Sequence, residues 1–149
     1  MARITVLHVE DEPSDRLIVS SAFRRAAPDV DLQAVADGEA AVDYLGGRGA
    51  YQDRDRHPLP TVVLLDIKLP RRSGLEVLKW MRAQPDLREI PVFMMTSSSE
   101  PADLEQAYAS GANSYLVKTV DLKSMREVVR GIGEYAMLVG SRPAARVTL

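Results

Sequence analysis

The chain of 149 residues has no cysteine and only two histidines, His8 and His57. Disulfides, thiol catalysis and cysteine zinc sites are therefore excluded, and a histidine metal cluster lacks ligands. Charge of one sign is also scarce. Nineteen Lys and Arg against 21 Asp and Glu leave a formal net charge of −2, which argues against nucleic-acid binding by bulk charge. No apolar run approaches the roughly 20 residues of a membrane span. Met1-Ala2-Arg3 runs straight into an apolar segment and leaves no room for a signal peptide. The expectation is a soluble cytoplasmic protein of one domain, long enough to bury a core without covalent staples.

What is present is an alternation of short apolar runs with helical periodicity. Ile4 to Val9, Val30 to Val35, Thr61 to Leu65, Pro91 to Thr96 and Ser114 to Val117 read as strands, the second polar enough for a sheet edge. Helical patterns begin near Pro13, Asp37, Ser73, Pro101 and Asp121. The last helix carries Leu122, Met125, Val128, Val129, Ile132 and Ala136 on one face. Five βα units with right-handed crossovers predict an α/β flavodoxin-like three-layer sandwich, with a parallel sheet of order 2-1-3-4-5. Residues 46–60 form a long polar connection, expected to be a solvated loop of balanced charge, with contact to a partner as the alternative.

The strand ends carry the chemistry. The first runs into Glu10-Asp11-Glu12, the third into Asp66, the fourth ends in Thr96 and the fifth runs into Lys118. In an open parallel sheet these ends lie together at the edge where ligands bind. Glu10, Asp11 and Asp66 would repel one another unless neutralised, and an all-oxygen donor set selects a hard cation. Mg²⁺ fits best and Mn²⁺ is the alternative, with the backbone carbonyl of Lys68 as a further ligand. An Asp66 carboxylate beside such a cation can accept a phosphoryl group as an aspartyl phosphate. The Lys118 ammonium would hold one phosphoryl oxygen, and the Thr96 hydroxyl with the Ser97 backbone N–H another. The plainer readings are an acid at a helix N-terminus, a threonine capping a turn and a surface lysine. All of them coinciding at successive strand ends is far less economical.

These same residues carry a family resemblance over about residues 3–137. Val9-Glu10-Asp11-Glu12, Leu64-Leu65-Asp66, Leu69-Pro70 with Gly74, Met95-Thr96-Ser97, Gly111-Ala112 and Tyr115-Leu116-Val117-Lys118 resemble the receiver domain of two-component response regulators. The resemblance implies that Asp66 takes a phosphoryl group from a histidine kinase, catalysing its own phosphorylation and a slow autodephosphorylation. It implies Asp11 as the direct Mg²⁺ ligand, Glu10 as an acid acting through water, and Thr96 with Tyr115 as a switch pair. Tyr115 on residue type alone would be a half-buried strand aromatic. Lys68 either shields the phosphate or faces solvent.

The loop at 46–60, the 69–74 turn, the 85–91 stretch and Val120-Asp121-Leu122 resemble the stand-alone regulators paired with bacterial phytochromes, which implies a light-sensing kinase as partner. The family usually has proline after the lysine, with a cis bond between them, where this chain has Thr119. A cis non-proline bond costs about 3–4 kcal/mol. Residues 1–140 are expected to form the receiver domain and 141–149 a tail. With no DNA-binding domain after it, output is expected through protein contact or phosphorelay. The last helix, the strand before it and the apolar tail are candidates for a homodimer face; their alternative is packing onto the same domain. The competing functions are an aspartate-based phosphatase of the dehalogenase type, an FMN carrier and a receiver-shaped interaction domain that takes no phosphate. The first needs an acid where Lys68 stands, and the second needs an anion-binding turn where Glu10-Asp11-Glu12 stands.

Overall fold

Apolar runs bounded by turn residues can bury both faces only inside a parallel sheet covered on both sides. The computed structural model, which describes residues 4–97, 100–118 and 121–140, has this architecture. In chain order its elements are β1 (Thr5–Val9), α1 (Pro13–Ala26), β2 (Asp31–Val35), α2 (Gly38–Gly46), a short 3₁₀ turn (Gly49–Tyr51), β3 (Val62–Leu65), α3 (Gly74–Ala83), β4 (Val92–Thr96), α4 (Pro101–Ala109), β5 (Ser114–Val117) and α5 (Leu122–Gly140). The sheet is parallel throughout, in the expected order β2-β1-β3-β4-β5.

Strand alternation divides the core. Leu7, Val9, Val63, Leu65 and Met94 pack with α2 and α3 residues such as Val42, Leu45, Val77 and Met81. Val6, Val62, Leu64 and Met95 pack on the other face with Val19 and Phe23 of α1 and Met125, Val129, Ile132 and Ala136 of α5. One apolar residue departs from the helical-face reading of the last helix: Leu122 is 52% exposed, because it lies on the outer side of α5. The last helix runs to Gly140.

The connection after α2 is largely exposed, as expected of a solvated loop, but it is also folded onto the end of α2. The rings of Tyr44, Tyr51 and His57 pack with centroids 5.1–5.7 Å apart. The Tyr44 hydroxyl donates to the Pro58 carbonyl at 2.8 Å. Arg54 donates to the carbonyls of Tyr44, Leu45 and His57 at 2.8, 2.9 and 3.2 Å. A guanidinium thus satisfies carbonyls that the end of α2 leaves open, beside the left-handed Gly47. The charge balance of Asp53-Arg54-Asp55-Arg56 gave no hint that one arginine faces inward.

Expectations for Thr119, including a cis bond after Lys118, and for the 141–149 tail lie outside the described residues.

Candidate functional site

Register explains why two acids from different strands meet. His8 of β1 is level with Leu64 of β3, so Glu10 and Asp66, two residues further on, are level as well. The ladder also runs past both strands: the Glu10 N–H donates to the Val35 carbonyl at 3.0 Å and the Asp66 N–H to the Val9 carbonyl at 3.2 Å. Carboxylate oxygens of Glu10, Asp11 and Asp66 lie within 4.8 Å of one another. Glu10 is 1% exposed and Asp66 6%, while Asp11 is exposed.

Lys118 closes the cluster from the end of β5, its N–H donating to the Thr96 carbonyl at 2.7 Å. Its ammonium lies 2.6 Å from Glu10 Oε1, 2.9 Å from Asp66 Oδ2 and 3.1 Å from Asp15 Oδ2. The ammonium donates hydrogen bonds to Asp66 and Asp15 and pairs with the Glu10 carboxylate by charge, so groups just past β1 and β3 and on α1 converge on it. Burial pushes the Glu10 carboxyl upward, opposed by Lys118 and by the Glu12 N–H, which donates to Glu10 Oε2 at 3.1 Å. Burial alone would lower the Lys118 ammonium, but its bonds to Glu10 and Asp66 raise it well above the ordinary lysine range. Behind the cluster, His8 is buried and held down to about 4, first by burial and then by the charges of Lys118 and Arg16. Arg16 also donates to the Glu10 carbonyl at 2.7 Å.

Local sequence sets the far wall. Ser73 and Glu76 form a reciprocal capping box at the start of α3, with bonds of 3.1 and 3.2 Å. The Gly74 N–H donates to the Ile67 carbonyl at 2.8 Å, drawing α3 against the loop that carries Asp66.

Each residue expected at the site has a definite place. Glu10, Asp11, Asp66 and Lys118 come together. Thr96 is fully buried at the end of β4, adjacent to Lys118 through the backbone bond. Ser97 lines a cavity of about 190 Å³ together with Glu10, Asp15, Lys118, Met95 and Met125. The Lys68 side chain is exposed, and its N–H donates to Asp66 Oδ1 at 3.3 Å. Tyr115 is level with Met94 on β5 and half-buried against the α2–α3 side of the core. Asp15 was legible only as part of a helix start. Its place in the first turn of the helix that follows the acidic turn was the available signal. A larger cleft of about 590 Å³, among Arg48, Arg54, Trp80 and Pro85, lies where α2 and α3 end, away from these groups.

The donor set fits a hard divalent cation: three carboxylates converge, those of Glu10 and Asp66 buried, and a lysine at the end of another strand brings a positive charge beside them. Bound there, such a cation would neutralise the acids and hold a phosphoryl oxygen.

Fold and site together define a receiver. The response regulator receiver domain model matches residues 6–130, and the chain belongs to that family. Among its relatives is response regulator Rcp1 of Synechocystis sp. (strain ATCC 27184 / PCC 6803 / Kazusa), 34% identical over 140 residues, covering 94% of this chain and 93% of that protein. The Mn²⁺-bound structure of Rcp1 superposes with a TM-score of 0.79 at 32% identity, over 94% of this chain and 97% of that one. Response regulator RPA3017, in red light signaling of R. palustris, gives 0.85 at 35% identity, covering 95% and 99%. The phosphorylated cyanobacterial phytochrome response regulator RcpA gives 0.82 at 29% identity, covering 91% and 95%. The chain thus resembles phytochrome-associated regulators along nearly its whole length.

Proposed function

We propose that this protein accepts a phosphoryl group on Asp66 from a histidine kinase, in a Mg²⁺-dependent reaction, and that the kinase is of the phytochrome type. The observation that carries this reading is the Lys118 ammonium 2.9 Å from Asp66 Oδ2, beside the carboxylates of Glu10 and Asp11. An Asp66 oxygen attacks the phosphorus of a phosphohistidine. The new P–O bond forms as the P–N bond breaks, and the leaving imidazole takes up a proton. Lys118 stabilises charge on a phosphoryl oxygen, and the Thr96 hydroxyl and Ser97 N–H serve another. Water attack on phosphorus later returns the free carboxylate.

Phosphorylation adds nearly two negative charges at pH 7. That charge draws Thr96 toward the phosphoryl group and Tyr115 inward, biasing a two-state equilibrium of α4. A homodimer through α5, β5 and the region after them belongs to the same reading. It is supported by exposed apolar side chains at Val117 of β5 and at Leu122, Met137 and Leu138 of α5. Among the described residues no helix is long and apolar enough to cross a membrane, which suits a cytoplasmic regulator.

Incubation with acetyl phosphate and Mg²⁺, read by intact mass, tests the acceptor. Wild type gains one phosphoryl group and Asp66→Asn gains none; equal labelling of both removes Asp66 from the role. Phosphotransfer from purified phytochrome-type kinases tests the donor, and light scattering at high protein concentration tests the dimer.

A further inference from the structure

Lys118 has three donors and three carboxylate partners, but those partners differ in what else can claim them. Glu10 and Asp66 belong to the cluster whose oxygens lie within 4.8 Å of one another and of Asp11. Asp15 does not. It stands on the first turn of α1, and its carboxylate is 3.1 Å from the ammonium. A divalent cation binding the cluster draws on the same Glu10 and Asp66 carboxylates that now hold the lysine, and cation and ammonium repel. Asp15 is then the remaining charged partner of those three.

The anchor matters because Lys118 is a point charge on a flexible four-carbon stem. Beside it lies a cavity of about 190 Å³ with Ile18, Met95 and Met125 in its walls. Without an anchor the ammonium has room to leave the position from which it reaches Asp66. Asp15 itself is braced: α1 is fixed by Pro13 at its start and by the Arg16 bond to the Glu10 carbonyl at 2.7 Å, one residue further along the same turn.

We propose that Asp15 is a positioning residue of the site, a tether that keeps the Lys118 ammonium poised beside Asp66 when a divalent cation occupies the acidic cluster. This rests on the phosphoryl-acceptor reading. It adds a sign that a simple field effect lacks. Deleting a negative charge beside the site should by itself favour an incoming anion, whereas deleting the tether should weaken capture of the phosphoryl group.

The direct test reads the lysine ammonium by ¹H–¹⁵N correlation. Lys68, Lys79 and Lys123 are exposed and exchange rapidly with water, so the slowly exchanging signal belongs to Lys118, as Lys118→Met verifies by its loss. In chelator, wild type and Asp15→Ala both show the signal, because Glu10 and Asp66 hold the ammonium. With saturating Mg²⁺, wild type keeps it, Asp15→Ala loses it and Asp15→Asn falls between. In parallel, affinity for beryllofluoride with Mg²⁺ drops about fivefold in Asp15→Ala, and the drop disappears in a Lys118→Met background. A signal indifferent to residue 15, or beryllofluoride binding that tightens in Asp15→Ala, overturns the tether even if Asp66 is labelled. A wild type that takes no phosphoryl group while its ammonium signal follows residue 15 overturns the acceptor reading and leaves the tether standing. Matching circular dichroism and unfolding curves establish that the variants fold.

Discussion

Gly74 and Asp66 touch backbone to backbone. A Cβ at Gly74 would overlap the Asp66 carbonyl oxygen and lie 2.8 Å from its carbonyl carbon. The glycine is what lets α3 begin directly beneath the acceptor loop, where its N–H reaches Ile67.

Gly74→Ala should therefore displace the 66–67 backbone. The neighbour is main chain and cannot rotate away, so we expect a loss of about 3 kcal/mol, read by urea unfolding. Acetyl phosphate labelling of Asp66 should fall with it even under conditions where the variant is fully folded.

Removing Lys118 leaves the buried Glu10 carboxylate without its counter-charge. Lys118→Met should lower metal-free stability by roughly 3 kcal/mol. Mg²⁺ should restore more of that loss than it adds to wild type, because the cation then meets no competing ammonium. Thermal unfolding in chelator and in saturating Mg²⁺ measures both. Equal Mg²⁺-induced shifts in the two proteins would refute the competition.

His8 makes metal-free stability pH-dependent. Its folded value of about 4 lies below the ordinary 6.5, so between those limits the unfolded chain binds a proton that the folded chain refuses. Stability from this residue is intact above pH 6.5, is lost as pH falls to about 4, and changes no further below that. The full loss is about 3 kcal/mol. Glu10 acts in the opposite sense: its raised folded value contributes stability that is present below its ordinary 4.5 and lost as pH rises through the raised value. The difference between wild type and His8→Leu isolates the histidine. Leucine should flatten the acid-side slope and add stability near neutrality, since the buried His8 Nδ1 has no hydrogen-bond partner among the described residues. Unfolding curves in chelator at several pH values check this.

Arg54 is expected to matter for the fold alone. Arg54→Ala removes three bonds to carbonyls at the end of α2 and in the following loop, at a cost of about 2 kcal/mol. Limited proteolysis should then cut within residues 48–58, while Asp66 labelling stays at the wild-type rate. Loss of labelling in the folded variant would instead connect this end of the molecule to the site.

Sequence alone determined the strands, their order and the acids and lysine at their ends. Those features are local: apolar runs, a polar edge strand at 30–35 and charged residues one step past Val9, Leu65 and Val117. Register then carries Glu10 beside Asp66 with little freedom, because a slip of one residue would turn every buried strand side chain over. Tertiary structure decided what depends on how helices are turned and on groups far apart in the chain. Asp15 reaches Lys118 across 103 residues only because α1 lies over the end of β1 with that face inward. Arg54 folds into its loop while its charged neighbours remain outside, and Leu122 points to water from a face that reads as buried. A helical pattern gives the period of the apolar face but not its rotation against the neighbouring layer. Long side chains then find their partners only once the layers are packed.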